Sequence, residues 1–309
     1  MENCRALLQM PKGCVFSVNE KDIIATISKL MPRSPLQVNK LFESDSEIIK
    51  IGDGYQLFNI DEFSHEDMFC EKKGYDLGWN VTVGTLSDIY ASGGTPQYFG
   101  CSLTINNKFD TAGFAEGMAD VLNQENINFI GGDLGKAKEW RATCFAVGVS
   151  ENPIMRSGAQ IGNNIYITGE VGAGNLMAIG ASCRLSLRKL PAGVTACIDT
   201  SDGVWNGINT IAEQSGVGFK IANIPYIEKG LEICKKLRLP KEMLFFCECG
   251  EYEFLFTSPH ELPFAKLGKI TETEKILDDK DVSGFDISAR DYKYAINYIR
   301  AVKRKCAEL

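Results

Sequence analysis

Histidine is almost missing from this chain of 309 residues, which has only His65 and His260, so a site built from clustered imidazoles is excluded. Its eleven cysteines are scattered, at Cys4, Cys14, Cys70, Cys101, Cys144, Cys183, Cys197, Cys234, Cys247, Cys249 and Cys306, with no C-x-x-C pair. That spacing argues against zinc, and the thiols read as small buried apolar groups. No apolar run reaches about 18 residues, and the opening Met-Glu-Asn-Cys has no signal-peptide core; the expectation is a cytoplasmic protein with no membrane contact. Positive charge is not in surplus either. The formal net charge is −7, whereas general nucleic-acid binding needs a dense basic face. The one basic run, Lys303-Arg304-Lys305, closes an amphipathic pattern and complements a helix dipole. There is no G-x-x-x-x-G-K-[ST] loop and no ordered protein-kinase set, so a nucleotide site would be of another type.

What remains is an ordinary globular composition, 44% hydrophobic and 24% charged, long enough for two domains. Glu47–Ile51 and Tyr55–Ile60 alternate as strands around Gly52-Asp53-Gly54, predicting a hairpin. A helical pattern from Asp76 to about Ser92 tolerates Gly78 and Gly84, which points to close backbone packing there. A strand over 98–105, a helix over 112–123, a short strand near 129–133 and a strand over 141–149 complete an α+β half. Turn residues over 151–164 place a boundary there, giving domains 1–152 and 153–309. The second half alternates strands at 165–168, 195–198, 218–221 and 252–257 with helices beginning near 173, 204 and 228. The fold expected is α+β, two mixed α/β domains, the second a sheet with helices.

The recurrent chemical feature is an aspartate beside Gly or Ser at the end of an apolar segment. It occurs at Gly52-Asp53-Gly54, Asn59-Ile60-Asp61, Leu86-Ser87-Asp88, Gly131-Gly132-Asp133 and Asp199-Thr200-Ser201-Asp202-Gly203. Glycine permits tight turns and close ligand approach, and carboxylates are hard oxygen donors. Singly each is a turn or cap; together, with little histidine, they favour Mg²⁺ held partly through phosphate oxygens. In the last motif Asp199 and Thr200 are expected to end the strand and shape the turn, Ser201 to cap the helix, and Asp202 with Gly203 to face the ligand.

In order, GDG (52–54), Asp61, LSDIYASGGTP (86–96), IGGD (130–133), RSGAQIGNNIYITG (156–169), DTSDG (199–203), CGEYEFLFT (249–257) and LGKIT (267–271) resemble the superfamily related to aminoimidazole ribonucleotide synthetase. The resemblance covers roughly residues 50 to 271 and is nearest the thiamine-monophosphate kinase branch. It implies an N-terminal domain that forms a joint barrel in a homodimer, with Mg²⁺ and ATP bound near that interface. It also implies phosphoryl transfer to a small phosphorylated acceptor. Carried over by position, Asp53, Asp61, Asp88, Asp133 and Asp202 become metal ligands, Asp133 and Asp202 also catalytic. Gly131, Gly132, Ser201 and Gly203 become nucleotide-binding, and His65, Glu251 and Tyr252 substrate-binding. The chain departs from the branch where Gly54 replaces a second acid, where Met68-Phe69 lacks a histidine, and where Gly250 stands for a glutamate. Those departures keep open another acceptor with the same ATP chemistry, or a nucleotide-binding paralogue that has lost turnover.

Overall fold

The computed structural model describes residues 20–67, 74–180 and 184–309, with side chains from residue 23 onward. Cys4, Cys14, Cys70, Cys183 and Met68-Phe69 lie outside the described residues. Helix α1 (Glu20–Leu30) precedes the hairpin β1 (Glu47–Ile51) and β2 (Gly54–Ser64). These are followed by α2 (Gly74–Ala91), β3 (Thr95–Ile105), α3 (Thr111–Glu125), β4 (Asn128–Phe129), β5 (Leu134–Lys136) and β6 (Arg141–Ser150). The first sheet runs β1-β2-β6-β3-β4, with β5 also on β3. Pairing is antiparallel except where α3 returns the chain to lay β4 and β5 parallel to β3. The predicted hairpin is present, with Gly52 at φ 57 and Asp53 exposed at its tip.

Helix α2 is buried on nearly all sides, which is why its apolar residues show no single stripe. A Cβ on Gly78 would lie 1.9 Å from Phe114 O, and one on Gly117 of α3 would lie 2.0 Å from Tyr75 O. The two helices therefore touch backbone to backbone, as the glycines had suggested for Gly78. Gly117→Ala should cost about 2 kcal/mol through overpacking, read as a lowered midpoint in denaturant. An unchanged midpoint would show that the helices separate freely.

The second half comprises β7 (Asn164–Ile167), α4 (Ala173–Ala178), β8 (Ala196–Asp199), α5 (Val204–Ser215) and β9 (Gly218–Ile221). Then come α6 (Glu228–Leu237), α7 (Met243–Phe246), β10 (Phe254–Ser258), β11 (Ala265–Thr271), β12 (Lys275–Leu277), β13 (Lys280–Asp281) and α8 (Ala295–Glu308). Its sheet is ordered β13-β12-β9-β11-β7-β10-β8. The sequence pattern had not suggested β12, β13 or α7, all too short for a periodic signal. Period-two alternation sends neighbouring residues to opposite faces. Ile165, Ile167, Ile198 and Leu255 join Trp205 of α5 in one core. Tyr166, Cys197, Phe254 and Phe256 join the core that contains α2. That shared core brings the end of β8 against α2, and the acids collect at this junction.

Candidate active site

Three carboxylates, from Asp45, Asp88 and Asp199, present oxygens that all lie within 4.8 Å of one another. They come from three places in the fold: the turn before β1, the last turn of α2, and the last residue of β8. Asp61 on β2 joins through Asn59, whose amide donates to Asp61 at 2.8 Å and also to Asp88. Ser87 Oγ donates to Asp199 at 2.6 Å, and the Asp199 backbone N–H donates to Asp45 at 3.2 Å. The only guanidinium hydrogen-bonded to these acids among the described residues is that of Arg156, whose Nε donates to Asp45 at 2.8 Å.

Burial sets the electrostatics. It lifts the Asp45 carboxyl to about 6 against the pull of Arg156, and the Asp199 charge adds to the rise. Burial likewise lifts Asp61 to about 6, opposed by the Asn59 hydrogen bond. Asp88 goes well above the ordinary carboxylate range through burial and the charges of Asp61, Asp199 and Asp45. Acids this close cannot all ionise in isolation; a divalent cation among them removes the conflict. The donor set is entirely hard oxygen, which suits Mg²⁺ and not a soft thiophilic metal.

The structure divides the sequence-derived candidates. Asp61 and Asp88 are gathered into the cluster, whereas Asp53, Asp133 and Asp202 are not. Asp53 occupies the exposed hairpin tip, where its carbonyl accepts from Lys50 Nζ at 2.9 Å. Asp133 is exposed between β4 and β5. In the DTSDG turn the expected roles are exchanged: Asp199 points into the cluster, and the Asp202 carboxylate is exposed, 3.9 Å from Arg290. Ser201 does not cap α5, because its hydroxyl donates to Asp199 at 2.8 Å. Asp45 was missed. Its only signal is the string Ser44-Asp45-Ser46 directly before a strand, indistinguishable from a turn.

The glycines serve backbone geometry. Gly132 packs on β3 so closely that a Cβ would lie 1.8 Å from Cys101 O, while Gly131 adopts φ 115 with open space around it. Gly203, at φ 87, would place a Cβ 2.7 Å from Cys247 O. Glu251 is fully engaged: its two oxygens accept from Gly172 N and Gly174 N, each at 2.8 Å, at the start of α4. Burial still raises its carboxyl to about 7 against those hydrogen bonds. Tyr252 adopts φ 54, rare for an aromatic residue. Its neighbours lock into the DTSDG turn, with Glu251 N donating to Thr200 O at 3.0 Å and Thr200 N to Glu253 O at 2.9 Å. Its ring comes over Gly84, where a Cβ would be 3.2 Å from Cε1, and burial and the nearby acids hold its phenol well above the usual range. His65 follows β2 with its Nδ1 buried and without a hydrogen-bond partner among the described residues.

The family model described as AIR synthase related protein, N-terminal domain, matches residues 43–150. The chain is also similar to thiamine-monophosphate kinases. It is 24% identical over 289 residues to that of Methanopyrus kandleri, covering 83% of this chain and 91% of the relative. To that of Aquifex aeolicus it is 25% identical over 261 residues, covering 71% and 80%. The fold matches AaThiL complexed with AMPPCP and TMP at a TM-score of 0.71, with 21% identity, over 87% of this chain and 97% of that one. It also matches the Escherichia coli hydrogenase maturation protein HypE at 0.57, with 16% identity, over 71% and 81%. Among the described residues no helix is long and apolar enough to cross a membrane.

Proposed function

We propose that this chain is an ATP- and Mg²⁺-dependent phosphotransferase acting on a small phosphorylated metabolite, of the thiamine-monophosphate kinase type. The observation that carries this reading is the convergence of Asp45, Asp88 and Asp199 from both sheets' neighbourhoods, in a chain similar to those kinases over most of its length. Asp45, Asp61, Asp88 and Asp199 would hold Mg²⁺, which offsets the charge of the polyphosphate when bound. Asp202, exposed on the same turn as Asp199, borders the path a phosphate chain would take out of the cluster. Gly131, Gly132 and Asp133 form a loop suited to the nucleotide, and His65 and Tyr252 would contact the acceptor. The protein's own part is positioning and electrostatics: the γ-phosphoryl group passes to an acceptor phosphate oxygen, leaving ADP.

With thiamine monophosphate, ADP and thiamine diphosphate should accumulate one for one in a coupled and chromatographic assay. Mg-ATP that neither binds nor turns over would remove the enzyme reading. A second acceptor is favoured by one feature: Glu251 is spent on the α4 backbone and Gly250 offers no carboxylate in its place. Turnover with another phosphorylated vitamin or nucleotide, and none with thiamine monophosphate, would establish it.

A homodimer through the first sheet belongs to the same reading. The sheet exposes Phe58, Ile60 and Tyr98 on its outer face and Phe129, Ile130 and Leu134 along its β4–β5 edge, apolar surface that a second copy would cover by closing a joint barrel. Ile60→Lys should convert the dimer to monomer in sedimentation; a wild-type chain that sediments as a monomer would defeat the barrel.

A further inference from the structure

We propose that Arg156 is a built-in counter-ion that holds the carboxylate cluster together before metal binds and competes with Mg²⁺ for Asp45. The inference rests on the Mg²⁺ reading above and concerns what this chain does in the metal's absence. Arg156 leaves the first sheet's last strand by only six residues and turns back onto the segment before β1. Its backbone N–H donates to Glu43 O at 2.7 Å, and Ser157 Oγ beside it donates to Glu43 Oε1 at 3.1 Å. The backbone is thus pinned independently of the side chain. The guanidinium reaches Asp45 through both Nε and an Nη, with the other Nη 3.4 Å from Phe42 O. Its side chain is 22% exposed and that of Asp45 is 1% exposed.

Charge accounting makes this pairing consequential. Asp45, Asp61, Asp88 and Asp199 together would carry −4 if ionised, and Arg156 supplies +1, leaving a deficit that only protons or added cations can fill. A divalent ion entering among Asp45, Asp88 and Asp199 meets a guanidinium already sharing Asp45. The two cations repel across a short, poorly solvated distance. Asp45 Oδ1 takes both guanidinium hydrogen bonds and Oδ2 takes the Asp199 N–H, so a metal either displaces the guanidinium from Oδ1 or uses the remaining Oδ2 lone pair next to that positive charge. Repulsion between the two cations favours displacement of the guanidinium, because the Asp199 N–H is fixed by its position at the end of β8. Arg156 is therefore a positioning residue: it keeps the acids apart from water and in register, and it sets how tightly metal binds.

Two measurements with MgCl₂ alone test this. In calorimetric titration at pH 8, Arg156→Gln should bind Mg²⁺ about tenfold more tightly than wild type, because a competing positive charge is gone. Arg156→Lys, which keeps the charge but not the fork, should fall between them. Equal or weaker binding by a folded Gln variant would overturn the proposal. Should that variant not fold, nitrogen-15 NMR of wild-type arginine side chains decides. The Arg156 Nε–H resonance should be protected from exchange without metal and should shift and lose protection as Mg²⁺ saturates. A resonance unmoved at saturation overturns the displacement. Wild-type protein that shows no saturable Mg²⁺ binding in either experiment would instead defeat the Mg²⁺ reading itself.

Discussion

Asp88→Asn should lower ATP turnover by at least about a thousandfold while raising the thermal midpoint of the metal-free protein. A thousandfold is about 4 kcal/mol of lost transition-state stabilisation. The two effects have one cause. Asp88 lies among Asp45, Asp61 and Asp199, and its burial with those charges makes its ionised form costly. An amide of the same shape removes that cost, keeps the acceptor oxygen for Asn59, and leaves the metal short of a charged ligand. Asp199→Asn should behave alike, and the double variant should lose little more than either single one, since residues that hold a shared ion act as a unit. Turnover within tenfold of wild type in both single variants would remove the cluster from the reaction. As a contrast, Asp53→Asn at the hairpin tip should leave turnover within about twofold, consistent with an exposed site away from the cluster.

That contrast shows where the sequence was readable. Segments whose structure is local were legible: the β1–β2 hairpin around Gly52, helix α2, strand β9 at 218–221 and helix α6 at 228–237 follow from periodicity and turn chemistry. Asp61 and Asp88 were found because each ends or punctuates such a segment. Side-chain direction beyond a strand end was not legible. Asp199 rather than Asp202 faces the cluster because Thr200 is clamped to Glu253, 53 positions away, which fixes the turn's orientation. Glu251 was expected to bind substrate, and its engagement with the amides of Gly172 and Gly174 was not legible because they lie 79 and 77 positions away in sequence. Asp45 escaped because the Gly-Asp-Gly of the following hairpin resembled the expected motif more than Ser-Asp-Ser did, and only strand pairing reveals which end of β1 reaches α2.

In chelator, the free energy of unfolding should fall as pH rises from about 4 to about 7, by at least about 3 kcal/mol, and added Mg²⁺ should flatten or reverse that slope. A carboxyl with a higher pKa in the folded than in the unfolded state binds its proton more tightly when folded. Folding is then favoured while the proton stays on, and this advantage is lost as pH climbs from the unfolded value through the folded one. Asp45 and Asp61, both lifted to about 6 from 3.8, define a window between roughly 4 and 6. Glu251, lifted to about 7, extends it upward. One such group lifted by about two units costs about 3 kcal/mol once ionised; Asp45 and Asp61 lie in one cluster, so their costs do not simply add. Mg²⁺ acts in the opposite sense because it binds the ionised carboxylates, drives their protons off and stabilises the native state by mass action. Denaturant curves at pH 5, 6 and 7.5, with EDTA and with MgCl₂, separate these contributions. A chelated protein as stable at pH 7.5 as at pH 5 would mean that the acids are already neutralised within the chain, leaving nothing for a metal to relieve.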